Sequence, residues 1–244
     1  MGSLLKIEFF KGKRKNIDLA SICLIMGAIL WTIMGTLSLY KSHPELNLLN
    51  ITIADLFVVN NLFFPLLITL LVVKAIQKDT QNGMLKLLYL NTQNLNQIFI
   101  AKYIVILLKT MLLFLIELIT TTLILKSGIS TLMIEIIFNT LIGGSAIILI
   151  QMIIMILTNK LTAIISGLAG TLISLVTSGF LPKYINIFIP WEYLSVLNPV
   201  KLDNRQYIVV NIMLWIILVI IINLVLMMIL KIILSSKKTW EKLL

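Results

Sequence analysis

The sequence of 244 residues predicts an all-α polytopic membrane protein with six transmembrane helices. Three observations lead there. Hydrophobic residues make up 59% of the chain and charged residues only 12%. Long apolar segments recur six times. Positive charge gathers on one side of them. About 20 apolar residues at 1.5 Å each match a hydrocarbon core of roughly 30 Å. Val209–Leu230 is the clearest segment, interrupted only by Asn211 and Asn223. No soluble domain can bury several such stretches.

Composition removes several function classes. Cys23 is the only cysteine, so an intrachain disulfide, a cysteine-based zinc site and a CxxC redox pair are excluded. His43 is the only histidine, which excludes an HExxH metal site and a histidine-dependent triad within this chain. Net charge is +10, but the basic residues flank apolar spans and therefore meet lipid headgroups rather than nucleic acid. Met1-Gly2 is not a myristoylation signal, because position 6 is Lys6.

The basic start, Met1–Lys15, runs into Ile17–Tyr40, which is longer than a signal-peptide core and lacks a small-x-small cleavage site. It reads as a retained first span. Within the start, Leu4, Leu5, Ile7, Phe9 and Phe10 alternate with Lys6, Glu8 and Lys11. Residues 1–16 are thus expected to form an amphipathic interfacial helix, the alternative being a frayed basic tail. The six spans are placed at Asp18–Tyr40, Ile53–Val73, Ile98–Leu125, Leu132–Leu157, Leu161–Phe180 and Val209–Ile233. They form a single transmembrane domain, 1–244.

Six spans put both termini on one side. That side holds Lys6, Lys11, Lys13, Arg14, Lys15, Lys74, Lys78, Lys86, Lys102, Lys160, Lys231, Lys237, Lys238 and Lys242. The other side holds Lys41, Lys126, Lys183, Lys201 and Arg205, a bias of 14 to 5. The positive-inside rule then places both termini in the cytoplasm of a multi-pass cell-membrane protein.

Two connections carry more than turn chemistry. The inner loop 74–97 holds the polar run Lys78–Gly83 and then the amphipathic run Met84–Leu90. That run reads either as an interfacial helix or as a docking element for a soluble subunit. The outer segment 181–208 combines Pro182, Pro190 and Pro199 with Tyr184, Phe188, Trp191 and Tyr193. Proline-broken pieces with interfacial aromatics predict short helices dipping into the outer leaflet, with a plain loop as the alternative.

Ionisable groups inside a bilayer default to functional hypotheses. Lys102, Lys109 and Glu117 fall within about an 80° arc of the third span. Lys102 can snorkel to the inner interface. Lys109, Glu117 and Glu135 form a candidate substrate pathway, in which Glu117 and Glu135 offer charge to a cationic peptide. A structural hydrogen bond is the alternative role for Glu117. Pro65 is expected to kink the second span, with Asn60 and Asn61 as cross-helix glue. On the fifth span Ser166, Gly170, Ser174 and Ser178 recur every four residues, beside Ala163, Gly167 and Thr171. Small side chains let helices approach closely, so this face packs on another span or on a second copy.

Asp79-Thr80-Gln81-Asn82-Gly83-Met84, then Leu87-Leu88 and Ile100-Ala101-Lys102, resemble the inner loop and third span of ABC transporter permeases of the type-2 exporter superfamily. That family commonly carries an acidic residue, a Gly-Thr pair, a Leu-rich stretch and a small-Lys pair there. Met84 stands in place of the usual Thr, and Asn91-Thr92 stand where a Pro is common. Ile189-Pro190-Trp191-Glu192-Tyr193 is similar to the outer region of lantibiotic and bacteriocin immunity and toxic-peptide exporter permeases.

The resemblance spans essentially the whole chain and implies the type-2 exporter permease fold. It implies a cytoplasmic coupling helix in Lys78–Tyr89, with Asp79, Gly83, Met84, Lys86 and Leu87 meeting an ATPase. It also implies a permease–permease contact through the first and fifth spans, with Ser166, Gly170 and Ser174 at the interface. The chain has no GxxxxGK[ST] sequence, so ATP and Mg would be bound by a separate ATPase, present in two copies.

The function so read is an exporter permease, a non-enzymatic subunit paired with itself or a paralogue. It would expel amphipathic antimicrobial or toxic peptides in self-immunity or secretion. Export of lipids or small hydrophobic drugs is the alternative substrate reading. An intramembrane enzyme or an ion-coupled carrier is the remote one.

Overall fold

The computed structural model describes residues 2–13, 19–81, 83–92, 94–128, 130–177, 182–203 and 206–236. Its elements are α1 (Gly2–Lys13), α2 (Leu19–Ser42), α3 (Leu48–Gln81), α4 (Met84–Thr92), α5 (Leu95–Leu125), α6 (Leu132–Leu157), α7 (Lys160–Thr177) and α8 (Lys183–Asn186). A 3-10 turn (Pro190–Glu192), α9 (Tyr193–Val196), strands β1 (Val200–Asp203) and β2 (Gln206–Val209), and α10 (Met213–Ser235) follow. Among the described residues, α2, α3, α5, α6, α7 and α10 are long and apolar enough to cross a membrane.

The six expected spans are all present, with informative shifts. The second is far longer than its apolar stretch. α3 has 34 residues, about 51 Å, so it runs well past the bilayer before the chain turns. The turn falls at Gly83, whose φ of +63° suits a residue without a Cβ. Much of the expected inner loop is therefore helix. Asn94 caps α5 by accepting the Gln97 amide at 3.3 Å. Lys126, in the left-handed region, ends it.

β1 and β2 form an antiparallel hairpin not anticipated from the sequence, with Val200 opposite Val209 and Asp203 opposite Gln206. The last span consequently starts at Met213 rather than Val209. Asn50 Nδ2 donates to the Tyr207 carbonyl at 2.9 Å and ties the hairpin to the start of α3.

α3 is the central helix. Thr36 Oγ1 donates to Asp55 at 2.9 Å, and Trp31 meets Phe63 edge-on, joining α2 to it. Phe64 and Phe114 make a second edge-on contact that joins α5. Pro65 lies inside α3, and Thr69 Oγ1 donates to its carbonyl at 2.6 Å.

α7 buries one stripe, Ala163, Gly167, Gly170 and Ser174. A Cβ on Gly167 would lie 2.7 Å from Thr69 Cβ of α3, and one on Gly170 would overlap the Trp191 ring. Ser166 Oγ donates to Gln151 of α6 at 3.1 Å. Ser166, Gly170 and Ser174 are thus engaged within their own chain. Of the two expected partners, another span or a second copy, the structure shows the first for Gly167 and Gly170: helices without large side chains approach most closely, and here α3 and Trp191 fill that approach. Ser178 lies outside the described residues.

Gly167→Ala should therefore loosen α7 from α3. Denaturant unfolding in detergent should show a loss of about 1–3 kcal/mol, because the added methyl meets a β-branched side chain on a rigid helix.

Candidate functional site

The lysine-rich end of the bundle holds two linked features. The first is the turn from α3 into α4. Leu85 and Leu88 are buried against the core, whereas Met84, Lys86, Leu87 and Leu90 are exposed, Leu87 at 59% and Leu90 at 62%. This leaves an apolar surface with one lysine beside the glycine turn. Of the expected coupling residues, Gly83, Met84, Lys86 and Leu87 share this exposed side. Asp79 does not. It is 2% exposed and bound to Lys102, so its carboxylate holds the loop from within and cannot meet a partner directly.

The second feature is that cluster. Lys102 of α5 is 1% exposed. Its Nζ donates to Asp79, to the Ala75 carbonyl at 3.0 Å, and to both oxygens of Glu8 at 3.4 Å. The expectation that Lys102 snorkels to the interface is corrected: α1 and α3 cover it and supply the counter-charges that make burial tolerable. α1 is helical, as expected for residues 1–16, and it docks through Leu4 and Glu8 while Ile7, Phe9 and Phe10 stay exposed.

The proposed pathway residues occupy three different environments. Lys109 is exposed on the surface of α5 beside Leu108 and Leu112. Glu117 is 0% exposed and faces Asn60 of α3. Among the described residues, neither the Glu117 carboxylate nor the Asn60 amide closes a hydrogen bond of good geometry. Glu135 is half-buried and lines an open cleft of about 330 Å³ with Val209, Val210, Asn211, Ile212, Met213 and Ile216. The common arc of Lys109 and Glu117 on one helix did not give a common site, because neighbouring helices cover α5 unevenly along its length.

The opposite end is closed by residues 182–199. The expected short helices are present, but their central part sinks into the bundle rather than resting in lipid. Glu192, Leu194, Val196 and Leu197 are all 0% exposed. Glu192 is the hub: Asn61 Nδ2 donates to it at 2.9 Å and Thr177 Oγ1 at 2.6 Å, while Asn61 Oδ1 accepts the Ser195 amide at 3.3 Å. Burial pushes the Glu192 carboxyl above the ordinary range, and the bonds from Thr177 and Asn61 oppose that shift. Sequence reading singled out Asn61 only as glue and Glu192 only as part of a similar stretch. A glutamate following Pro-Trp in an apolar segment was the available signal.

At the rim of this cap, Lys183 Nζ donates to the Asn198 carbonyl at 2.9 Å. Burial and the nearby Lys201 lower its ammonium from 10.5 to about 8.

Six membrane-spanning helices, an exposed helical turn at one end and a re-entrant cap at the other make up a polytopic transport subunit. The chain belongs to the ABC-2 family transporter proteins, whose family model matches residues 4–188. It is the membrane permease of such a system, and the match ends just ahead of Glu192, the hairpin and α10. No curated protein and no solved structure matches the chain.

The Lys183 shift has a signed consequence. Its folded pKa lies below the unfolded value, so the unfolded chain binds more protons between the two. Stability should rise as pH increases from about 8 to 10.5, and Lys183→Gln should flatten that rise in detergent melting curves. Asn61→Leu should lower stability by about 1–3 kcal/mol by leaving Glu192 without its amide donor.

Proposed function

We propose that this permease is driven by a separate ATPase that docks on the α3–α4 turn, and that it exports amphipathic cationic peptides. The observation that carries the docking assignment is the solvent-facing Met84, Leu87 and Leu90 on a helix whose other side is already packed. Apolar groups at the end of a span that are not packed on the core need another cover. A soluble partner supplies that cover. On this reading the lysine-rich end is cytoplasmic, as the positive-inside bias requires. ATP and Mg reside in the partner, and two ATPase copies serve two permeases.

The second permease is a copy of this chain or a paralogue. With the small-residue stripe of α7 used internally, the pairing surface falls on outward apolar faces. Leu161, Ile165, Leu172 and Val176 of α7 are exposed, as are Met26, Leu30 and Met34 of α2.

The peptide assignment draws on the cleft beside α10. Its lining is apolar apart from Asn211 and Glu135, so it pairs hydrophobic cover with one negative charge. A cationic amphipathic peptide arriving through the outer leaflet satisfies both. A neutral lipid or small hydrophobic drug uses only the apolar part, which makes Glu135 the residue that separates the two substrate readings. Removal of such a peptide from the membrane protects the producing cell, and the same stroke serves secretion.

Leu87→Asp should abolish co-purification of the partner ATPase while leaving the permease in the membrane. Retained co-purification would place the docking site elsewhere. Glu135→Gln should lower cellular resistance to a cationic lantibiotic about fivefold or more, the size of a coupling near 1 kcal/mol. Unchanged resistance at equal protein level would favour the lipid or drug reading.

A further inference from the structure

The Lys102 cluster lies buried behind the docking turn and away from the cleft, and neither reading assigns its charges a role. It joins three elements at one atom. Lys102 extends from α5, Asp79 and the Ala75 carbonyl come from α3, and Glu8 comes from α1. Asp79 lies two residues before the end of α3, just ahead of the Gly83 turn. We propose that Lys102 is a positioning residue that makes α5 and α1 follow the α3–α4 turn when the docked ATPase moves it. This inference rests on the docking assignment above.

Two physical points support a coupling role over a role in stability alone. First, a buried ion pair contributes little net stability, since desolvation offsets most of its attraction; apolar replacements of similar volume are often neutral or better. Second, such a pair resists separation. Pulling its members apart inside the bundle leaves each charge uncompensated, whereas apolar helix surfaces slide past one another at small cost. The cluster is therefore placed where its particular strength, resistance to displacement, acts on the helix that enters the docking turn. α5 is 31 residues long, about 46 Å, so a shift imposed at Lys102 is carried past Glu117 to the opposite end of the bundle.

The test uses the permease purified with its ATPase in lipid nanodiscs, with Cys23 replaced by serine. Spin labels go at position 78 on α3, the exposed position 123 on α5 and the exposed position 172 on α7, and distances are read without nucleotide and with Mg-ATP plus vanadate. In the native cluster the 78–123 distance should change by less than about 1 Å, while the 78–172 distance reports the stroke. The neutral triple variant Glu8→Gln, Asp79→Asn, Lys102→Met strands no charge and should fold and bind the ATPase. In it the 78–123 distance should shift by at least about 2 Å, and ATP hydrolysed per turnover of a labelled cationic lantibiotic should rise at least about fivefold. A 78–123 distance as constant in the variant as in the native protein would overturn the inference while leaving docking intact.

Should the triple variant not accumulate, Glu8→Gln alone decides. A label at the exposed position 10 on α1 should then move relative to position 123, whereas the charge-conserving Lys102→Arg, with Glu8 intact on the Cys23→Ser background, should retain native behaviour. Independence of the α1 label from Glu8 would count against the proposal. If the native complex shows no nucleotide-dependent change at 78–172, or if no ATPase co-purifies, the docking assignment itself fails, and the inference with it.

Discussion

Lipid does not reward helices for hiding leucine from one another, since an acyl chain is as apolar as the neighbouring side chain. What fixes this bundle is the requirement that polar groups inside it be matched by other parts of the same chain. Lys102 is covered by Glu8, Asp79 and a carbonyl. Glu192 is met by Asn61 and Thr177. Ser145 donates to Asn223, and Asn223 donates in turn to the Ile142 carbonyl. Each match links elements distant in sequence, so each rejects alternative rotations of a helix that its apolar faces alone would permit. Close fits such as Gly167 on Thr69 then set the spacing.

The sites divide between the two ends in a way that suits a driven permease. At the lysine-rich end, charges are buried and an apolar surface is exposed beside them. At the other end a proline-broken segment fills the bundle, and its glutamate is gripped by two helices, α3 and α7. The adjacent asparagines of α3 address different carboxylates. Asn61 holds the one in the cap, and Asn60 faces Glu117 on α5 without closing a bond. α3 is thus the element through which the turn, the interior and the cap are connected.

Much of the architecture was legible because the bilayer sets a length that a run of apolar residues must meet. Ile98–Leu125 and Leu132–Leu157 needed no other information. The short inner helix α4 also showed itself, as Met84–Leu90 is amphipathic and too short to span. Pairings were beyond reach. Lys102 and Glu8 are 94 positions apart, and Asn61 and Glu192 are 131 apart, so no argument from one helix face joins them. Arc geometry on α5 misled for the same reason: it orders residues around one axis and says nothing of what covers each level. The hairpin had a faint local signal in the alternation Val200-Lys201-Leu202-Asp203 before Asn204, outweighed by the apolar run that follows.

α10 is the least buried of the six spans and the most hydrophobic of them. Val219, Leu230 and Leu234 form its buried seam, and Asn223 is its polar anchor on α6. Such a helix enters a bilayer on its own merits and needs little from its neighbours to stay there. Biogenesis can accordingly proceed in two stages, a five-helix unit that closes first and a final segment that joins it by lateral diffusion. A chain severed in the hairpin would then reassemble from its two pieces inside one membrane.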